Sequence, residues 1–448
     1  MTGSGDPLSR RARRFCLAAA LLLTLAAAHF WATAPARALV RNQAVADIVQ
    51  RVDQDQFGLR TILNQLTGAA SARVGGVPYL FLTRYATSGT PIDKAEQYVY
   101  EHLRAAGLDS VKYQAFAGIV RGRNVIGQIT GEKWPAEVVV LCAHLDSKAR
   151  PDPRRAPGAD DDGSSVAALL ELARVFSQYH FDRTVRFVFF GGEEQGLVGS
   201  AAYALAARQS GQNIVAVVNA DMIGWNGLGG GVVALRTRPS VVGNTDIWTA
   251  MRYVEAVQLY AIGSLAPRVI KDAPLWSDHA SFWRRGYPAT CLIEDHSKGD
   301  NPTYHTSADT VARLTWAYYV RVTKGLAATA AHLGQLHGTQ PSRAVYVYAI
   351  SLSSYSSAGV RGPRASVRVY DASLTPVQGA TVRAAFTGTT VSSRAVVTDA
   401  YGRAVFSAPT HAGGGSWTFA VSGVSKRGWV YDAALNRVTS GVITIPGQ

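Results

Sequence analysis

Cysteine and methionine are scarce, with three of each in 448 residues. Cys16 falls in the N-terminal leader, which leaves Cys142 and Cys291 and excludes a disulfide framework as the basis of the fold. Both lie in apolar, strand-like runs, where a free thiol packs as a small hydrophobe; export would allow a bond only if their strands are neighbours. Negative charge is also short. Against 45 Lys and Arg stand 31 acids, a net charge of +14, of which residues 1–38 carry +4. No basic helix or arginine-rich tract accompanies the remainder, which argues against nucleic acid as a partner and for a generally basic surface. Internal repeats are absent, as is an apolar run long enough to cross a bilayer comfortably. What is present is a globular composition, 47% hydrophobic and 17% charged, over a length that suits two or three domains.

The N-terminus has the layout of an export signal. Ser9-Arg10-Arg11-Ala12-Arg13-Arg14 precedes the apolar run Phe15–Ala28, and Ala36-Arg37-Ala38 is a small-residue cleavage site. The expectation is a signal peptide over 1–38 and a mature chain that works outside the cytoplasm, secreted, periplasmic or attached to the cell surface, without a transmembrane span.

From residue 39 onward, helical periodicity in 39–75 and in Pro91–Ala106 gives way to strand-like runs at Val111–Phe116, Asn124–Thr130 and Glu137–Ala143. A helix is predicted over Gly163–Tyr179, a strand over Val185–Phe190, a helix over Leu197–Gln209 and a strand over Ile214–Ala220. A helix from about Ser277, a strand at Ala289–Ile293 and a helix at Leu314–Leu333 close the unit. Strands alternating with helices of this length predict an α/β fold, with a mixed, mostly parallel central sheet flanked by helices over 39–335. Residues 336–346 read as a linker. From 347 to 448 short strands separated by turn chemistry predict an all-β, immunoglobulin-like sandwich. There nine basic residues face three aspartates, a net charge of +6.

The stretch Arg186–Gly199 organises the rest. An apolar run ends in Gly191-Gly192 and then presents Glu193 and Glu194 side by side. Neighbouring side chains on a strand point to opposite faces, so the glycines must let the chain turn there. An isolated Glu-Glu pair reads as a solvated turn. The remaining motifs change that reading. His144, at a strand end in His-Leu-Asp-Ser, has Asp146 two residues on as a candidate partner for its second ring nitrogen. Asp160-Asp161-Asp162 precede a helix; one could serve the helix terminus, but three adjacent carboxylates invite a cation. Asp221 follows another buried strand, and His305 lies in a loop before the last helix. Open α/β sheets build their sites beyond the carboxyl ends of strands, where His144, Glu193, Glu194 and Asp221 all fall.

In this order the motifs resemble the co-catalytic di-zinc aminopeptidases, metallopeptidase family 28 of clan MH. The resemblance runs from about Ile48 to Leu333. It rests on 144–147, on Gly-Ala-Asp-Asp-Asp-Gly at 158–163, and on Glu-Glu-x-Gly-Leu-x-Gly-Ser at 193–200. Asp-Met at 221–222, Ser-Asp-His-Ala-Ser-Phe at 277–282 and Tyr-His-Thr at 304–306 complete it. It implies a zinc-peptidase-like sheet and two Zn2+ per chain. One zinc is held by His144 and Asp221, the other by Glu194 and His305, and Asp160 bridges them, with a cis peptide linking it to Asp161. Glu193 is the general base, Asp146 orients His144, and peptides or proteins are the substrates. Ser277 is expected to cap the following helix, with Asp278 and His279 as scaffold. Met222, Trp276 and Tyr304 flank these residues, as pocket lining or as plain packing. The stretch Lys271–Trp276 departs from relatives in having neither cysteine nor tyrosine, which leaves the preferred side chain open. Carboxypeptidase-type relatives and one-zinc glutaminyl cyclases share much of the set, and a non-catalytic binding protein on a decayed scaffold is the reading from another class. For the C-terminal unit, attachment to cell wall or polysaccharide is the expectation that its charge and β pattern suggest.

Overall fold

The computed structural model describes residues 38–53, 58–239, 245–297, 299–339, 343–371, 374–426 and 429–447. The export signal expected over 1–38 therefore lies outside the described residues except for Ala38. Two short helices, α1 (Gln43–Arg51) and α2 (Leu59–Leu66), and a small hairpin, β1 (Ala72–Val74) and β2 (Val77–Tyr79), lead to α3 (Thr90–Ala106). Pro91 lies in the first turn of α3, Ala95, Val99 and Leu103 face inward, and Gly107 at φ 81° ends it. Its capping position is Gly89, so Thr90 belongs to the helix itself.

The strands β3 (Ser110–Ala117), β4 (Arg121–Ile129) and β5 (Trp134–His144) follow. Next come α4 (Ser165–Phe176), the short β6 (Tyr179–Phe181), β7 (Arg183–Phe190), α5 (Val198–Gln209) and β8 (Asn213–Ala220). The series continues with β9 (Val232–Arg236), α6 (Asp246–Leu259), β10 (Ala266–Ile270), α7 (His279–Trp283), β11 (Thr290–Glu294) and α8 (Trp316–Leu333). Eight strands form one sheet in the order β10-β9-β11-β8-β5-β7-β4-β3. Its centre, β11-β8-β5-β7, is parallel, and antiparallel pairs flank it on either side. Covered on both faces, β5 carries an unbroken apolar run from Val138 to Ala143. Alternate residues serve opposite layers. Val139 and Leu141 pack with α4 and α8, while Val140 and Cys142 pack with Tyr203 of α5 and Phe282 of α7.

Cys142 and Cys291 are free, buried thiols on β5 and β11. Between them on β8, the Asn219 side chain reaches one thiol at 3.4 Å and the other at 3.9 Å.

The stretch expected to be a linker is instead largely paired. β12 (Leu336–Thr339) runs antiparallel to β6, and β13 (Arg343–Ser357) starts four residues before the sandwich was expected to. Pairing satisfies backbone groups that a polar tether would leave to water. β13 opens an all-β sandwich with β14 (Val360–Asp371), β15 (Thr381–Gly388), β16 (Ser392–Val397), β17 (Arg403–Ser407), β18 (Gly414–Ser425), β19 (Trp429–Tyr431) and β20 (Ser440–Pro446). Its sheets, β17-β14-β13-β19 and β16-β15-β18-β20, enclose a separate core that includes Val367, Phe386, Trp417 and Phe419. Among the described residues no helix is long and apolar enough to cross a membrane.

Candidate metal centre

The chemistry-bearing residues collect at the carboxyl ends of the four parallel strands. His144 is the last residue of β5, Asp221 follows β8, and Glu294 ends β11. After β7, Gly192 at φ 68° reverses the chain so that Glu193 and Glu194 approach the site together. Asp146 fixes that turn. Its Oδ1 accepts from the Glu193 amide at 3.1 Å and its Oδ2 from the Glu194 amide at 3.2 Å. The expected contact between Asp146 and His144 also exists, but through the backbone: His144 Nδ1 lies 2.9 Å from the Asp146 carbonyl oxygen and 3.9 Å from the carboxylate. A carbonyl acceptor calls for the proton on Nδ1 and leaves Nε2 free as a ligand atom.

Two trios of ligand atoms result: His144, Asp161 and Asp221, and Asp161, Glu194 and His305. His144 Nε2 lies 3.1 Å from Asp161 Oδ1 and 3.7 Å from Asp221 Oδ1. His305 Nε2 lies 3.1 Å from Asp161 Oδ2 and 2.9 Å from Glu194 Oε1. Asp161 Oδ2 and Glu194 Oε1 are buried and form no hydrogen bond, although an imidazole nitrogen is close to each. Atoms that converge without aligning as donor and acceptor are arranged for a shared third party. Charge tells the same story. Burial would lower the pKa of His305, but the Asp161 and Glu194 carboxylates outweigh it and raise it to about 9. The same contest, with Glu193, Asp161 and Asp221 on the raising side, lifts His144 well above its usual value. The acids thus recruit protons onto both rings, in the place where a divalent cation would neutralise them. Two imidazoles with carboxylate oxygens and no thiolate are a donor set that fits zinc.

Asp160 does not join either trio, and the residue between the imidazoles is Asp161. The chain winds tightly over Ala159–Ser164 after Gly158 at φ 51°, so the three aspartates leave it in different directions. Asp160 Oδ1 accepts from the Gly224 amide at 2.8 Å and its Oδ2 from Asn301 Nδ2 at 2.9 Å. Asp162 accepts from the His144 and Met222 amides, both at 3.1 Å, and ties the ends of β5 and β8 together. Only Asp161 keeps its carboxylate for the site. The cis peptide likewise joins Asp161 to Asp162, one bond beyond the expected position.

Three supports were not foreseen. The Asp309 carboxylate accepts from the amides of Asp160 and Asp161 at 2.9–3.2 Å and so sets the turn. Arg84, fully buried, donates to the carbonyls of Leu66, Leu145, Pro157 and Gly158 and pins the segment below it. Glu294, also fully buried, accepts from the Trp225 amide at 3.2 Å. The strand-end rule that picks out His144 and Asp221 applies equally to Glu294. Arg84 and Asp309 carry no comparable signal, since one donates only to carbonyls and the other accepts from amides.

Over the trios opens a cavity of about 210 Å³, bordered by Met222, Trp276, Ile293, His296, Asp300 and Tyr304. The Tyr304 ring stacks on His305 at 3.7 Å. Glu193 lines the cavity outside both trios. Its pKa is pushed well up, first by burial and then by Asp278, Asp221 and Glu194 against the pull of His144. Ser277 does not cap α7; its Oγ accepts from Asn219 Nδ2 at 2.8 Å. Asp278 and His279 are both fully buried.

Residues 124–330, which carry both trios, match the model of Peptidase family M28. Over these residues, a little under half of its length, the chain is similar to that family. It is 32% identical over 269 residues to "Leucine aminopeptidase 1" of Uncinocarpus reesii, covering 55% of this chain and 66% of that protein. With a "Probable leucine aminopeptidase" of Trichophyton verrucosum it shares 29% over 263 residues, 54% of this chain and 65% of the relative. The chain thus spans slightly under two thirds of these relatives. Among solved structures, the LapA aminopeptidase of Legionella pneumophila superposes with a TM-score of 0.55 at 23% identity, covering 68% of this chain and 78% of that one. That likeness shows a shared fold alone.

Proposed function

We propose that this chain is a secreted zinc exopeptidase of the M28 type, an aminopeptidase that removes N-terminal residues from peptides. His144, Asp161 and Asp221 would hold one Zn2+, and Asp161, Glu194 and His305 a second, with Asp161 shared. When bound, the two ions lower the pKa of a water and offset the negative charge that develops on the scissile carbonyl oxygen. Glu193 takes the proton of that water on its carboxylate and returns it to the leaving amine. Asp146 holds the two glutamates in place through their amides, so that one serves the metal while the other stays free. Met222, Trp276 and Ile293 form the wall against which the side chain of the departing residue rests, and Tyr304 steadies His305 by stacking. We take residues 39–335 as the catalytic unit and the sandwich as the part that holds it on cell-wall or other polysaccharide.

The observation that carries this reading is the pair of trios sharing one carboxylate, with Glu193 outside both. Glu193→Gln is expected to retain two zinc ions per chain by elemental analysis and to lose about 10²–10⁴-fold in turnover. Turnover near that of the wild type would remove Glu193 from the mechanism. A panel of free-amino, N-blocked and N-terminal glutaminyl peptides, with and without chelator, separates the activities. Hydrolysis of the free-amino peptides alone supports an aminopeptidase. Cleavage of blocked peptides points to a carboxypeptidase, and ring closure without hydrolysis to a cyclase.

A further inference from the structure

The C-terminal sandwich turns one sheet towards the peptidase body and the other away from it. On β15 the residues Val382, Ala384 and Phe386 enter the core, so Arg383 leaves on the outer face, where its Nη2 donates to the Ala105 carbonyl of α3 at 3.2 Å. The outer face of β17-β14-β13-β19 is therefore the distal one. Because Ala365, Val367 and Val369 point inward, Arg364, Ser366 and Arg368 point outward on β14. Likewise Ala404 and Phe406 of β17 point inward, leaving Arg403, Val405 and Ser407 outside. Arg364, Arg368 and Arg403 are all exposed.

The pairing register places Arg368 directly opposite Arg403, and Arg364 opposite Ser407. Like charges facing each other across a strand pair are destabilising, and among the described residues Arg403 alone of the three is paired with an acid, Asp399 at 3.3 Å in the turn before the strand. Across β13 the facing residues are small: Ser353 beside Arg364, Ser351 beside Ser366 and Ala349 beside Arg368. Among the described residues of β13, β14 and β17 the one acid is Asp371, at the strand's end, where it accepts from the Thr375 amide. The face thus sets serine hydroxyls, with Val405 beside Ser366, between guanidinium groups, Arg364 and Arg368 being about 13 Å apart along the strand. Three of its tyrosine rings already have partners: Arg364 lies over Tyr355 at 5.2 Å, and Arg437 over Tyr348 at 4.3 Å, which stacks on Tyr370 at 4.4 Å, while Tyr401 in the turn before β17 is exposed.

We propose that this distal face binds an acidic polysaccharide, one bearing uronate carboxylates. The planar fork of arginine pairs with a carboxylate through two parallel hydrogen bonds, and serine hydroxyls both donate to and accept from sugar hydroxyls. A single-stranded nucleic acid would stack successive bases on a row of free aromatic faces, whereas Tyr348, Tyr355 and Tyr370 each already carry a ring or a guanidinium group. The assignment rests on the attachment reading of the sandwich given above, and not on the peptidase chemistry.

The test uses the full chain in affinity electrophoresis through gels containing polygalacturonate, dextran or single-stranded DNA. Wild type is expected to be retarded by polygalacturonate in a salt-sensitive way and to pass dextran freely. Arg364→Ser/Arg368→Ser/Arg403→Ser should weaken the apparent Kd for polygalacturonate about tenfold or more. Arg383→Ser/Arg394→Ser, on the other sheet, should leave it unchanged, and both variants should hydrolyse a short peptide at the wild-type rate. Replacing the three distal arginines by lysine, which keeps charge but loses the fork, should fall between. Equal retardation of the serine variants and wild type overturns the distal face while leaving attachment standing. Retention of wild type by none of the polymers sinks both, and tighter binding of DNA or dextran than of polygalacturonate replaces the ligand class.

Discussion

Asp161 presents one oxygen to each imidazole at 3.1 Å, while one residue earlier Asp160 spends both of its oxygens on the Gly224 amide and the Asn301 side chain. This gives the two aspartates separable roles. Asp161→Asn should lower bound zinc below two per chain and reduce turnover by at least about 10². Asp160→Asn should keep two zinc ions and act mainly by loosening the loop, with a smaller loss. Elemental analysis beside steady-state rates on one leucyl substrate separates the cases, and equal zinc loss in both variants would return the bridging role to the pair as a whole. The aspartate run shows where reading a sequence stops. Spacing located His144, Glu193, Glu194, Asp221 and His305 because each sits at a strand end or in a bounded loop. Within three identical neighbours nothing in the sequence sets which one faces inward. That is decided by a turn whose geometry depends on Asp309, nearly 150 positions away.

At the level of elements, α7 is expected to make stability depend on pH through a buried histidine. His279 opens this short helix, fully buried between Trp276 and Trp283, with Nε2 at 2.9 Å from the Pro274 carbonyl. Burial pulls its pKa down to about 4, against about 6.5 in an unfolded chain. The unfolded chain then binds a proton that the folded one refuses. This group's contribution is complete above about pH 6.5 and is lost progressively as the pH falls towards 4, on the order of 3 kcal/mol in all. Metal-free wild type and His279→Gln should therefore have melting temperatures that converge, or cross, between pH 7.5 and 4.5. Parallel curves would show that His279 does not titrate across this window. Most elements of the sheet were legible because amphipathic helices keep the period 3.6 and strands covered on both faces read as short apolar runs bounded by turn residues. The group β9, α6 and β10 was not. β9 follows the glycine run Gly229–Gly231 and has only five residues, too few to establish a period. The supposed linker failed for a related reason: β12 is a polar edge strand, and its pairing with β6 is a long-range fact.

For the molecule as a whole, the decisive feature is that its apolar interior is divided. One set of clusters surrounds the eight-stranded sheet, and a separate one, built around Trp417, fills the sandwich. That an all-β unit follows the α/β unit was visible in the change from long periodic segments to short valine- and threonine-rich ones. Which strands share a sheet was not, because pairs such as β13 with β19 depend on connections that leave no local pattern. Two cores imply two cooperative units, each responding only to what it binds. Zinc bound to the folded peptidase body stabilises that body by mass action, about 4 kcal/mol at a thousandfold excess over its Kd. A scanning calorimetry trace of the intact chain should then resolve two transitions. Chelator should lower one by several degrees and leave the other in place. Trp417→Ala, which empties the centre of the sandwich at a cost of about 3–5 kcal/mol, should do the reverse and spare hydrolysis of short peptides. If both treatments move one common transition, the two cores melt together, and the sandwich is a structural part of the peptidase instead of an attached binding unit.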